Sequence, residues 1–239
     1  MIRKTTILAV LSVFILAGFN AQAQLVKAVV AVTGNVMNSE TKEPVSADIH
    51  IYDLNHNIVN KTKSNAARDG AYYIPSLQPG AAYFVEILKD GYFKERYRID
   101  VPNSDKYVEI SRDFLVRPLR EDIKIKLKVP PFELHKSKLR YGADFLLKDI
   151  ANTLKHNPEV DFKILCYPDN NKNKNENMEL TQSRANSLKD YLVINGVDPT
   201  RIAVEGKAEV DPANPMPEEK AAKGKRYIGT SYIQVTNVE

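Results

Sequence analysis

The sequence has one cysteine, Cys166, and no tryptophan in 239 residues. A single cysteine excludes an intramolecular disulfide and a four-thiolate zinc site. The four histidines, His50, His56, His135 and His156, are scattered, with no pair at metal-ligand spacing. Neither a metal nor another cofactor is expected. No glycine-rich loop follows a strand to cradle phosphate, and no serine sits in a glycine-flanked elbow. Cys166 alternates with Val160, Phe162 and Ile164, which reads as a buried structural thiol and not a nucleophile. These absences argue against an enzyme. Charge of one sign is lacking too. Lys+Arg is 34 and Asp+Glu 30, a net charge of +4 that is too balanced to argue for nucleic acid.

Long apolar runs are also missing after the first twenty residues. Ile7 to Phe19 is almost wholly apolar, but it falls short of the roughly 20 residues that span a bilayer. Arg3 and Lys4 precede it and Ala21-Gln22-Ala23 follows it, a small-x-small cleavage pattern. Residues 1–23 therefore read as a secretory signal peptide of bacterial character. No cysteine follows the run, so no lipid anchor is expected. Cleavage after Ala23 would leave 216 residues at net charge +2, with no transmembrane segment in the mature chain.

From Ala28 to about Val116 the apolar residues come in short runs separated by turn signals. Val29–Val36 is one β-branched run, and Ala47, Ile49 and Ile51 alternate with polar neighbours. Asp69-Gly70, Pro79-Gly80 and Asp90-Gly91 punctuate the runs that follow. Turn dipeptides between β-rich runs without a 3.6-residue period argue an antiparallel all-β sandwich. The polar stretch Asn55–Arg68 reads as a solvated hairpin loop. In order, Val32-Thr33-Gly34-Asn35-Val36, Glu43-Pro44-Val45, Arg68-Asp69-Gly70-Ala71-Tyr72-Tyr73, Leu77-Gln78-Pro79-Gly80 and Gly91-Tyr92 resemble a carboxypeptidase-regulatory-like domain. That resemblance covers about residues 29–100 and implies a spacer or partner-binding module. The first unit is placed at residues 27–119.

Prolines 118, 130 and 131 punctuate a joint at about 113–135. Within it Ile123, Ile125, Leu127 and Val129 alternate with Lys124, Lys126 and Lys128, a strand with one apolar and one basic face. It is either an edge strand kept soluble by lysines or a basic stripe for anionic wall polymer. Its spacing does not assign it to either unit.

Beyond it the period changes. Leu139, Ala143, Leu146, Leu147, Ile150 and Leu154 predict an amphipathic helix over 138–156, ended by Asn157-Pro158. A strand of about seven residues follows from Val160. After a polar loop, Pro168–Asn177, a second helix is expected over Leu180–Ile194, capped by Thr181 and stopped by Gly196. Strands are expected at Ile202–Val204 and Tyr227–Val235. This order gives an α+β fold with two helices on one sheet.

Leu154-Lys155-His156-Asn157-Pro158, the strand from Val160 to Tyr167 running into Asp169, and Asn177-x-x-Leu180-Thr181-x-x-Arg184-Ala185 resemble the OmpA-like peptidoglycan-binding domain. Tyr191-Leu192, Gly196-Val197, Arg201-Ile202 and Gly206 follow in the same order. The resemblance covers about 122–236, and the second unit is placed at 122–239. It implies a non-catalytic periplasmic protein of a Gram-negative envelope, associated with the cell wall and outer membrane.

Diaminopimelate stems end in a zwitterion, so recognition requires a fixed anion and a fixed cation a few ångströms apart. Asp169 would accept from the ammonium and Arg184 would fork onto the carboxylate. Arg184 is expected in the first turn of the second helix, where backbone N–H groups would assist. Asn177 would bond the ligand or hold the loop. Arg226 would supply a further cation. The plain alternative is that Asp169 and Arg184 pair with each other in a surface salt bridge worth ~0–1 kcal/mol. Two departures from the family pattern stand out. Pro168 removes a backbone N–H beside Asp169, and Lys172 replaces the usual glycine. The alternative function is a degenerate scaffold that binds protein within an envelope assembly. Such module pairs resemble those of type IX secretion or gliding-type complexes, although no propeller accompanies them here.

Overall fold

A computed structural model describes residues 29–217 and 226–238. The expected signal peptide lies outside the described residues. Eight strands build the first unit: β1 (Val30–Asn38), β2 (Asp48–Tyr52), β3 (Ile58–Lys63), β4 (Ala71–Leu77), β5 (Ala82–Leu88), β6 (Glu95–Asp100), β7 (Val108–Ser111) and β8 (Phe114–Val116). One sheet runs β3-β2-β5-β6 and is antiparallel throughout. The other runs β4-β1-β7, with β8 beside the second half of β1. Alternating residues of both sheets, among them Val32, Ile74 and Phe114 on one side and Ile49, Val85 and Ile99 on the other, bury into a shared core. Gly70 (φ +77°) makes the turn into β4 possible: a Cβ there would stand 2.3 Å from the Val36 carbonyl oxygen.

Two expectations need correction. This unit is not wholly antiparallel, because β1 pairs in parallel with β7 and with β8. Asn55–Arg68 is not a loop either, because it contains β3. That strand is an edge with Ile58 and Val59 exposed and pairs with β2 through its backbone. It has no buried face, so no alternation marks it.

The second unit contains β9 (Lys124–Lys126), helix α1 (Ala143–His156), β10 (Val160–Cys166), helix α2 (Lys174–Ile194), β11 (Ile202–Gly206) and β12 (Ser231–Val238). Its sheet has the order β11-β10-β12-β9. β10 pairs in parallel with β11 and antiparallel with β12. The lysine-striped strand β9 joins this sheet through β12. Leu147, Ala151 and Leu154 of α1 and Ala185, Leu188 and Leu192 of α2 share a core with Phe162, Ile164 and Cys166 of β10.

The helix boundaries differ from the periodicity. Gly142 takes φ +79° and α1 starts after it, at Ala143 and not at 138. α2 starts six residues before the expected Leu180. Asn173 caps it, its side chain accepting from the N–H groups of Asn175 and Glu176. Thr181 is therefore not a cap but a fully buried residue within the helix. The last strand starts at Ser231 and not at Tyr227.

The two units are joined by apolar and polar contacts. Phe93 is fully buried with Val160 and Val235, and Leu119 and Ile123 pack on the cluster. The Asn157 side chain accepts from the Lys94 N–H at 2.8 Å and donates to the Lys94 carbonyl at 3.1 Å. Lys94 also pairs with Glu159 at 3.0 Å.

Candidate functional site

The polar groups converge where β10 ends. Pairing with β11 and β12 holds Val160–Cys166 rigidly, and the chain then leaves the sheet through Tyr167 and Pro168 to present Asp169. α2 lies across the same end and brings in Arg184. Both side chains are fully buried. The guanidinium meets the carboxylate in a two-pronged pair, Nη1 to Oδ1 at 2.8 Å and Nη2 to Oδ2 at 2.9 Å.

Segment 133–136 and Gly229 complete the shell. Oδ1 also accepts from the Gly229 N–H at 2.8 Å, and Oδ2 from the His135 N–H at 2.8 Å. Arg184 Nε donates to the Lys136 carbonyl at 2.9 Å, and Nη2 to the Glu133 carbonyl at 3.1 Å. The guanidinium stands over the Phe132 ring at 5.2 Å. His135 has φ +57°, and its Nδ1 lies 3.6 Å from Oδ2. Burial alone would raise the Asp169 pKa. The bonds from Arg184 and the two backbone N–H groups outweigh it, and the carboxyl is held below its usual range.

Gly229 is an identity the site requires. A Cβ there would sit 1.9 Å from the Tyr167 carbonyl oxygen and 2.6 Å from that of Pro168. Only a glycine lets its N–H approach Asp169 across this strand crossing.

Of the four expected site residues, Asp169 and Arg184 are brought together. Asn177 is buried beside them in the first turn of α2, donating to the carbonyls of Asn170 at 2.6 Å and Ala208 at 3.0 Å. It ties the loop after Asp169 to the segment after β11. Arg226 is exposed, and no hydrogen bond or ion pair among the described residues links it to the other three. Its neighbour Lys225 lies outside the described residues. One placement is corrected: Arg184 lies ten residues into α2, not in its first turn, so the helix N-terminus does not support it. Lys172 takes no left-handed conformation, and its N–H bonds the Asn170 side chain at 2.8 Å.

Sequence reasoning missed the backbone partners Glu133, His135, Lys136 and Gly229. It also missed Asp211, a buried carboxylate with no cation paired to it among the described residues. It accepts from Thr230 Oγ1 and Tyr232 Oη at 2.6 Å each, Asn214 Nδ2 at 2.8 Å and the Ala213 N–H at 3.0 Å. Against the raising effect of burial, these donors lower its pKa. Asp211 in turn adds to the burial that pushes Tyr232 up to about 12. A glycine just before the last strand, in Ile228-Gly229-Thr230, was the one available sequence signal for any of these.

Residues 131–226 match the OmpA family. The chain is 32% identical over 94 residues to "Probable lipoprotein YiaD" of Escherichia coli (strain K12), a stretch covering 39% of this chain and 42% of that protein. It is 47% identical over 49 residues to "Outer membrane protein A" of Bordetella avium, covering 20% and 24%. The matches thus span less than half the length of these curated relatives. Among solved structures, the peptidoglycan-associated lipoprotein from Burkholderia pseudomallei is similar at 17% identity and a TM-score of 0.36, over 47% of this chain and 89% of that one.

Proposed function

We propose that the C-terminal unit is a non-catalytic, peptidoglycan-binding domain of a cell-envelope protein in the periplasm. On this reading Asp169 and Arg184 receive the zwitterionic end of a diaminopimelate stem. The first unit, a carboxypeptidase-regulatory-like sandwich at about 27–119, serves as spacer or partner-binding module. The OmpA family match at 131–226 supports the domain's role.

The observation that carries the reading is how the pair is closed. Segment 133–136 supplies what the ligand would supply. Two carbonyl oxygens on the guanidinium stand where a carboxylate would sit, and one N–H on Oδ2 stands where an ammonium would donate. Binding is then an exchange: the segment yields, the ligand's carboxylate replaces the Glu133 and Lys136 carbonyls, and its ammonium replaces the His135 N–H. The hydrogen-bond count is conserved while two neutral acceptors give way to a charged one, which strengthens the bonds to Arg184. Asn177 holds the loop, and the exposed Arg226 meets the polymer outside the pair.

Sedimentation with purified diaminopimelate-type sacculi tests this. Wild type should pellet, and Asp169→Ala/Arg184→Ala should stay in the supernatant while remaining folded by circular dichroism. Equal retention of both removes the site. A second reading is favoured by the burial of both side chains and by Pro168, which has no N–H to offer a ligand. It makes the domain a scaffold that binds protein. No sedimentation of wild type, with co-purification of a stable envelope partner, selects it.

A further inference from the structure

A groove of about 800 Å³ runs between the two units, lined by every residue from Ile123 to Val129, by Leu146, Leu147 and Ile150 of α1 and by Leu115 of β8. Among the described residues β9 is the last strand of its sheet, and the groove follows the side that no described strand pairs with. The register with β12 decides which backbone groups are free. Val235 N–H donates to the Ile123 carbonyl, and Leu127 N–H donates to the Ser231 carbonyl. The odd-numbered residues thus turn their backbone groups to β12, and Lys124 and Lys126 turn theirs away from it. Apolar side chains also sit unusually far out here: Leu115, Val129 and Leu146 are all exposed.

Charge along the groove is unbalanced. Its carboxylates are engaged: Glu40 with Arg120, Glu95 with Arg117, and Asp113 with the Asn35 N–H. Lys124, Lys126 and Lys128 form no ion pair with a carboxylate of the described residues, although Lys126 bonds the Asn214 side chain.

We propose that this groove takes an extended peptide segment of a partner protein, in which acidic and apolar residues alternate, added as a fifth strand along the free edge of β9. Strand addition supplies main-chain bonds to Lys124 and Lys126, and alternation sorts the side chains. One face of the added strand lies beside Leu146 and Ile150, and the other lies beside the three lysines. The groove stands apart from the Asp169–Arg184 pair, since none of its lining residues hydrogen-bonds or ion-pairs with either side chain.

The probe is a fluorescein-labelled, end-capped hexapeptide of alternating Glu and Val, titrated into the full chain with a Lys/Val peptide as control. Saturable binding of the Glu/Val peptide alone is expected. Lys124→Glu/Lys128→Glu should weaken it about tenfold at low salt. Lys126→Pro, which removes an outward N–H that β12 does not use, should weaken it by a similar factor. In the wild-type complex, amide hydrogen exchange at Lys124 and Lys126 should slow while that at Ile125 holds, a readout independent of whether the variants fold. Any of three results overturns the proposal: no saturable binding at millimolar peptide, binding without slowed exchange at those two amides, or slowing that appears with rising protein concentration and no peptide, which makes the occupant a second copy.

Discussion

Asp169 offers four lone-pair directions, and four donors meet them: two from Arg184, one from His135 and one from Gly229. A buried carboxylate so saturated is stable only as an anion beside its cation. Its folded pKa lies below the ordinary value of about 3.9. Its stabilisation is therefore complete above pH ~4 and is lost as the pH falls through the lower folded value. Asp169→Asn should cost about 3–5 kcal/mol at pH 7, because Arg184 is left buried without its anion. That gap should narrow below pH 4, where wild type loses the same charge. Urea unfolding at pH 7 and pH 3 measures both. Gly229→Ala should destabilise by at least about 1–3 kcal/mol, since its Cβ would overlap the Tyr167 carbonyl. Loss of the slowed exchange of the residue-229 amide would report the broken bond to Asp169.

At the scale of elements, the helix that carries Arg184 is set in register by a residue eleven positions earlier. Asn173 satisfies two N–H groups at the α2 N-terminus. Asn173→Ala should therefore cost about 1 kcal/mol in thermal or urea unfolding, with the first turn fraying before the rest. That turn also shows where sequence reading fails. Lys174 to Glu176 is polar all round, so no apolar stripe extends the helix back from Leu180. β3 is illegible for the same reason, with no buried face. β10 was legible because Val160, Phe162, Ile164 and Cys166 all bury on one side. The pairing of Asp169 with Arg184 could be read from residue types and spacing. Its closure could not, because the groups that close it are backbone N–H and C=O groups brought in from Glu133–Lys136 and Gly229. Backbone groups are common to every residue and leave no mark in the sequence.

For the whole molecule, the near balance of 34 basic and 30 acidic residues leaves no dominant field, so recognition rests on local groups in set geometry. That geometry depends on how the units sit together, because the groove along β9 has one wall from each. Phe93 sets the junction: it is wholly buried, it comes from the first unit, and it packs on Val160 and Val235 of the second. The reciprocal bonds between Asn157 and Lys94 fix the same point from the polar side. Phe93→Ala should cost about 3–5 kcal/mol through the lost burial and the cavity left behind. The loss falls on the junction, since each unit keeps its own core. Calorimetry of wild type should show the units unfolding as one cooperative step, and the variant should resolve into two transitions, each tracking one unit. Sacculus binding through Asp169 and Arg184 should survive in Phe93→Ala, while binding of the Glu/Val peptide should fall, because only the second depends on both units.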